Sequence, residues 1–353
     1  MNIPDIKQAS LEGKRILMRV DFNVKFLDGK PEEIYKIKSA KKTIDYILSK
    51  PGVKLALVSH LGRPEPGEIK LSFVEIRDEI SKILGRKIVF TSASVGEPVG
   101  LALENLEEGE ILMLENIRFF EKEMLADESF AQDMAENFDI YINEAFSVSH
   151  RDHASLTTIT NFLPSFLGFN FIREIEELNK LRQDFKKPAV ALIGGIKVDT
   201  KLPMIEFFSK IYDQVLVGGG LGIEIQDRKI DVGPNVILPD DYLGDGLDIG
   251  PKTIEKFKRI ISDSKTIVWN GPLGKFEDAE YVKGTKEILH AIAENKDAYK
   301  VAGGGETIQV LEEIGLLDKF DFVSTGGGAM LDFLADGSLP ALEALKHEKR
   351  STK

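Results

Sequence analysis

The chain has 353 residues, enough for two separate cores, and its 42% hydrophobic and 29% charged residues match an ordinary globular composition. A net charge of −12 opposes binding to nucleic acid or anionic membranes, and the lack of cysteine excludes disulfides, thiolate catalysis and cysteine metal sites. No apolar run is long enough to cross a bilayer and Met1-Asn2-Ile3-Pro4-Asp5 lacks the zones of a signal peptide, so a cytoplasmic location is expected.

Short β-branched runs alternate with amphipathic helical patterns throughout. In the first half, strands are expected at 15–20, 55–59, 87–90, 111–114 and 140–143. A helix over 33–48 places Ile34, Ile37, Ile44 and Ile47 near one face, and 73–84 repeats the pattern. A seam falls at 163–187, where Pro164 and Gly168 break local structure and 172–185 reads as one charged helix ending before Pro188. Strands are then expected at 189–193, 214–217, 236–238, 266–269, 299–302 and 322–325, with helices such as 253–261 and 285–293 between them. This alternation predicts an α/β protein with mostly parallel sheets covered on both faces. The charged run 346–353 reads as a solvated tail.

In the second half, strand after strand stops on glycine: "ALIGGIKVDTK" (191–201), "VLVGGGLG" (215–222), "VWNGPLGKFE" (268–277), "VAGGGETIQV" (301–310) and "STGGGAMLDFLADG" (324–337). Ligands of parallel sheets bind beyond the carboxyl ends of the strands, and helix N-termini there favour phosphate. One glycine turn is as well explained by tight geometry, but several at one edge point to an extended ligand touching several strands. Neither a P-loop nor a dinucleotide fingerprint is present; "GDGLDIGPKT" (244–253) only imitates the former. Lys197 and Lys201, four apart, are expected on one side of a helix start. Glu306 is placed to hold a nucleotide's magnesium, or else to complement a helix dipole, and Glu277 to bind ribose hydroxyls.

The first half instead gathers cations at its strand ends. "RVDFNV" (19–24) puts Asp21 and Asn23 two apart beyond a strand; "SHLGRP" (59–64) adds His60 and Arg63, "LENIRFF" (114–120) Arg118, and "NEAFSVSHRDHAS" (143–155) Arg151. Each arginine alone is an ordinary surface charge. Repeated at successive strand ends they indicate a shared anion pocket, because guanidinium forks match carboxylate and phosphate. His150 and His153 have the spacing of a metal pair on a helix but no third ligand, and are read as hydrogen-bonded structural histidines.

In this order and over almost the whole chain, these strings, with "DIGPKT", resemble phosphoglycerate kinase. The resemblance implies two Rossmann-like three-layer α/β/α domains with mostly parallel sheets, joined by an interdomain helix. Residues 1–165 would bind 3-phosphoglycerate or 1,3-bisphosphoglycerate, with 338–353 packing back on them. The connecting helix would occupy 166–187, and 188–337 would bind ADP or ATP with Mg2+. A monomeric glycolytic enzyme that works by hinge closure on small-molecule substrates is implied, with no nucleic-acid or membrane partner. The chain is short for such a family, which the resemblance attributes to trimmed loops around 221–235.

Carried over by position, Asp21 and Asn23 would hold the substrate's hydroxyl and carboxyl end, with Phe22, Leu61 and Gly62 beside them. His60, Arg63, Arg118 and Arg151 would bind its phosphate. Lys197 would neutralise the phosphoryl group in flight and Lys201 would contact nucleotide phosphates. Gly194 and Gly218 would border the nucleotide, Asn270 and Pro272 its nucleoside, and Glu277 its ribose. Gly304, Gly305, Glu306 and Thr307 would meet phosphate and metal, and Gly326, Gly327 and Gly328 would offer amides to the transferring group.

Two positions depart from the pattern. The family's arginine fifteen positions after the aspartate of "DFN" is Lys36 here, which keeps the charge but loses the fork. The aspartate usual before Thr307 is Glu306. These departures also admit a weakened relative that senses nucleotide or phosphoglycerate; a dehydrogenase is opposed by the missing dinucleotide fingerprint.

Overall fold

A computed structural model describes residues 4–27, 30–64 and 69–346. The run 347–353, most of the expected solvated tail, lies outside the described residues. The chain divides into two compact units. One extends to Ile175 and takes the chain back from Ser338; the other is Glu176–Gly337.

The first unit carries the strands β1 (Arg15–Arg19), β2 (Phe26–Leu27), β3 (Lys30–Pro31), β4 (Lys54–Val58), β5 (Ile88–Phe90), β6 (Ile111–Met113), β7 (Ile140–Asn143) and β8 (Ser165–Leu167). Its helices are α1 (Tyr35–Ser39), α2 (Lys41–Leu48), α3 (Arg77–Leu84), α4 (Glu97–Glu104), α5 (Glu121–Met124), α6 (Glu128–Ala135) and the start of α7 (Phe169–Gln183). A six-stranded sheet has the order β5-β6-β4-β1-β7-β8, and every pairing in it is parallel. Alternation along the strands sorts side chains to its two faces. Ile16, Met18, Leu55, Leu57, Ile111, Met113, Ile140 and Ile142 pack with Ile37, Ile44 and Ile47 of α1–α2 and Ile80 and Leu84 of α3. Leu17, Ala56, Val58, Leu112 and Tyr141 pack instead with Val99 and Leu103 of α4 and Phe130 and Met134 of α6. This is the covered, three-layer arrangement the alternation predicts.

Three details differ from the sequence reading. The helix expected over 33–48 is two helices meeting at Ala40, the C-cap of one and N-cap of the other. The pattern at 73–84 opens as a 3-10 turn, Phe73–Glu75, whose Val74 amide is capped by the Ser72 hydroxyl, before α3 begins. Strand β8 falls in the stretch read as a seam. It is only three residues long and follows Pro164, so periodicity does not reveal it.

The second unit carries β9 (Ala189–Ile193), β10 (Gln214–Val217), β11 (Val236–Ile237), β12 (Tyr242–Leu243), β13 (Asp248–Ile249), β14 (Thr266–Asn270), β15 (Tyr299–Gly303) and β16 (Phe322–Ser324). Its helices are the rest of α7, then α8 (Val198–Ile211), α9 (Gly219–Asp227), α10 (Pro251–Asp263), α11 (Lys283–Glu294), α12 (Gly305–Ile314) and α13 (Gly328–Asp336). A second six-stranded, all-parallel sheet runs β11-β10-β9-β14-β15-β16. The order reverses direction beside β9, the kind of switch point at which open α/β sheets bind ligands. Helix α14 (Pro340–Lys346) belongs to the first unit, where Ala341 joins Ala145, Val148 and Leu156 in a small cluster.

Among the described residues, no helix is long and apolar enough to cross a membrane.

Candidate active site

In the first unit, the segments leaving the carboxyl ends of β1, β4, β6 and β7 bring the expected side chains together. Beyond β1 the Asn23 amide donates to Asp21 Oδ1 at 3.1 Å, a local turn that sets both side chains. Asp21 Oδ2 accepts from the Ser147 hydroxyl, which arrives from the end of β7. Asn23 Oδ1 accepts from the Gly62 amide at 2.7 Å, fastening the "RVDFNV" turn to the "SHLGRP" turn. Asn116 completes the frame: its Oδ1 accepts from the Leu61 amide at 3.1 Å, and its Nδ2 donates to the Leu61 carbonyl at 2.8 Å. Arg118 donates to the Gly62 carbonyl at 2.5 Å. Phe22 is fully buried and its amide donates to the Ser59 hydroxyl at 2.9 Å. Phe22 and Leu61 therefore support this edge from within the core.

The charges are dense. Burial would raise the Asp21 carboxyl, but Lys36 and the hydrogen bonds from Ser147 and the Asn23 amide hold it well below the usual carboxylate range. Burial holds His60 well below the usual imidazole range; Asp21, 3.7 Å from its Nδ1, opposes this and the guanidinium groups of Arg19, Arg118 and Arg151 reinforce it, so the ring is neutral near pH 7. Burial and then Arg151 and Arg19 bring Arg118 down to about 10. Arg151 is lowered by burial and by Arg63. Arginines from three separate turns thus repel one another across one small volume. An anion arriving there relieves that repulsion.

In the second unit, the carboxyl ends of β9, β10, β14, β15 and β16 all lead into the glycine turns. The glycines fall into two groups. A Cβ on Gly194 would lie 2.0 Å from the Pro272 carbonyl oxygen, and one on Gly271, at φ +88, would lie 2.5 Å from the Gly194 carbonyl oxygen. Gly218 faces Gly194 and Leu273 backbone at 3.1 Å. Here glycine is needed because neighbouring loops touch, and Gly194 N and Gly195 N donate to the carbonyls of Asn270 and Pro272 at 2.9 and 3.1 Å. Gly305 is different: a Cβ there would meet nothing within 4 Å. It starts α12 after Gly304 (φ +103), and Gly327 and Gly328 similarly start α13. The first amides of each helix lack an intrahelical acceptor and suit an anion.

Polar side chains lock this edge. Asn270 donates to the Gly303 carbonyl at 2.9 Å and accepts from Lys201, and the Thr307 hydroxyl accepts from the Gly271 amide at 2.8 Å. Burial lowers the Lys201 ammonium, with Glu306 opposing. Lys197 does not stack with Lys201 on a helix as the spacing suggests. Glu224 accepts from the Val198 amide at 2.8 Å, so α8 starts there and leaves Lys197 extended (φ −92, ψ 103) and exposed. Glu277 and Glu306 are exposed, and Pro272 is buried. Gly326 is buried, its amide donating to the Ser324 hydroxyl at 3.2 Å. Among the described residues no cluster of three or more His, Asp or Glu is placed to hold a metal. His150 lies in a turn and His153 in an irregular loop, neither on a helix.

The sequence reading passed over Arg19, Ser147 and Glu33. Arg19 is the one charged residue inside the apolar run 16–20, and its side chain is 1% exposed. That isolation was the available signal. Nothing in the sequence links Ser147 to Asp21, 126 residues away.

Two α/β units, each built on an all-parallel sheet, one edged with cations and the other with glycine turns and helix starts, define an α/β protein whose strand ends suit anions. The phosphoglycerate kinase family model matches residues 6–241 and 226–337. A phosphoglycerate kinase of Dictyoglomus turgidum is 35% identical over 390 aligned positions and one of Thermosipho africanus 37% over 396, each alignment covering 98% of both chains. The phosphoglycerate kinase structure from Pyrococcus horikoshii superposes with a TM-score of 0.86 at 27% identity, over 98% of each chain. That from Coxiella burnetii gives 0.79 at 29%, over 98% of this chain and 99% of its own. The chain belongs to the phosphoglycerate kinase family and is a phosphotransferase. The alignments are longer than the 353 residues here, so these relatives carry segments that this chain lacks. The two family matches overlap at 226–241, close to the stretch expected to be trimmed.

Proposed function

We propose that this protein reversibly transfers a phosphoryl group between 1,3-bisphosphoglycerate and ADP, giving 3-phosphoglycerate and ATP. The observation that carries this reading is the convergence of Arg118 and Arg151 from two strand ends beside Asp21 and His60, with Arg63 from a third near enough to repel both. That constellation suits a small acid bearing phosphate. The free helix starts at Gly305 and Gly328 suit the nucleotide's phosphates.

In the direction of ATP synthesis, the bond between phosphorus and the acyl oxygen breaks, and a terminal oxygen of ADP forms the new bond. The leaving group is a carboxylate, stable as an anion at neutral pH, so no side chain has to supply a proton. The residues agree with this. Asp21 is held ionised by Lys36, Ser147 and the Asn23 amide, and is a poor base. Catalysis then consists of alignment and of fixed positive groups at the equatorial oxygens, supplied by Lys36, Lys197 and the amides of residues 326–328. Each unit holds one reactant, so the two must close for transfer. Magnesium suits this edge only as an ion carried by the nucleotide, because Glu306 is a single exposed carboxylate and Mg2+ bound to phosphates needs just one or two. When bound, it neutralises phosphate charge.

The test is a coupled assay for ATP-dependent turnover of 3-phosphoglycerate with magnesium varied. Saturable, magnesium-dependent turnover is expected. Binding of both ligands without turnover would favour a sensor.

A further inference from the structure

A buried polar chain runs from the anion cluster of the first unit away from its edge. Arg19, His60, Glu123 and Ser155 are all at most 1% exposed. An Arg19 guanidinium nitrogen lies 3.4 Å from His60 Nδ1, and Arg19 Nε donates to the Ser155 hydroxyl at 2.9 Å. That hydroxyl donates to Glu123 Oε1 at 2.6 Å, while the Ser155 amide donates to Glu123 Oε2 at 2.8 Å. Beyond it, His153 Nδ1 is 3.7 Å from Glu123 Oε1.

The roles along this chain follow from what each group can do. His60 Nδ1 faces two groups: an Arg19 guanidinium nitrogen at 3.4 Å, which only donates, and Asp21 Oδ1 at 3.7 Å, which only accepts and lies beyond hydrogen-bond reach. The nearer Arg19 contact makes Nδ1 the acceptor and puts the ring proton on Nε2. A hydroxyl has one proton; with Glu123 accepting it, the Ser155 lone pairs turn to Arg19. Glu123 therefore sets the hydroxyl, the hydroxyl sets the guanidinium, and the guanidinium sets the tautomer of His60. We infer that Glu123 and Ser155 are positioning residues for the acid-binding half of the site, acting on His60 through Arg19 while touching no reactant. The identity of the acid rests on the kinase reading above.

Glu123→Gln puts an amide donor against one of two donors that both need an acceptor, and Ser155→Ala removes the bridge. Each variant, made in the full chain, is expected to raise KM for 3-phosphoglycerate about tenfold or more while KM for ATP stays within about twofold. The double variant should be no worse than the poorer single one, as expected for groups acting in series. In 15N spectra of histidine-labelled protein, His60 should show one tautomer, protonated at Nε2, in the wild type and a mixture in both variants. If Glu123→Gln does not fold, Ser155→Ala decides alone. An unchanged KM for the acid, equal rises in both KM values, or an unaltered His60 tautomer would overturn the inference. An inactive wild type would instead overturn the kinase reading, and the spectra would still decide the link to His60.

Discussion

Lys36 Nζ lies 3.4 Å from Glu33 Oε1 and 3.9 Å from Asp21 Oδ2, so one ammonium is held between two carboxylates. It also donates to the Asn23 carbonyl at 3.4 Å. Burial works against its charge, but Asp21 and Glu33 outweigh that and raise its pKa. Lys36 is thus a fixed cation beside Asp21, without the fork an arginine would bring.

Replacing Lys36 with alanine should lower kcat by about a hundredfold, the scale seen when one preorganised charge-stabilising group is lost. Steady-state turnover checks this. An unchanged kcat would remove Lys36 from catalysis.

The two groups of glycines should respond oppositely to alanine. Gly194→Ala forces a Cβ to 2.0 Å from the Pro272 carbonyl oxygen and should destabilise the protein by roughly 1–3 kcal/mol or more. Gly305→Ala has free space and starts a helix, so stability should hold or rise by up to about 1 kcal/mol while KM for ATP increases. Denaturant melts and ATP kinetics on both variants separate the cases. Loss of stability in Gly305→Ala would contradict this division.

Stability should also depend on pH through Glu144. It accepts from the Thr43 hydroxyl at 2.5 Å and from the Asn170 and Phe171 amides at 3.1 and 3.3 Å, capping α7. Burial, aided by nearby Glu174 and opposed by these hydrogen bonds, pushes its carboxyl up to about 8. Between the ordinary glutamate range and that value, the folded chain keeps a proton the unfolded chain has released. Stability contributed here is therefore full at low pH and lost as pH rises towards about 8. Glu144→Gln should remove this slope, gaining on the wild type by a few kcal/mol from about pH 5 to about pH 9. Parallel melting curves across that range would show that Glu144 does not titrate as described.

Glu306→Ala should raise the magnesium concentration needed for half-maximal turnover, because one carboxylate ligand is lost. A magnesium titration of activity measures it. An unchanged requirement would remove Glu306 from the metal's surroundings.

Much of the architecture was readable because strand and helix periods differ. Strands such as 140–143, 189–193 and 214–217 coincide with the expectation, and the split of Ile16 and Met18 from Leu17 onto opposite faces follows from a period of two. The arginine turns were also readable, since each follows a strand end. What escaped depends on distant partners. Gly194 and Gly305 look alike in sequence, yet only Gly194 has a carbonyl from 78 residues away against it. That Lys197 caps α8 rather than lying within it follows from Glu224, on another helix, which accepts from the Val198 amide where α8 begins. Arg19 was hidden because a lone arginine in an apolar strand shows no partner until Ser155 and His60 fold around it.

The most direct measurement is a crystal structure of the full chain with 3-phosphoglycerate and a non-hydrolysable ATP analogue. We expect the acid's phosphate on Arg63, Arg118 and Arg151 and the nucleotide's phosphates at the helix starts beginning at Gly305 and Gly328. Either ligand settling elsewhere in its unit would contradict the assignment of these strand ends as the two halves of the catalytic site.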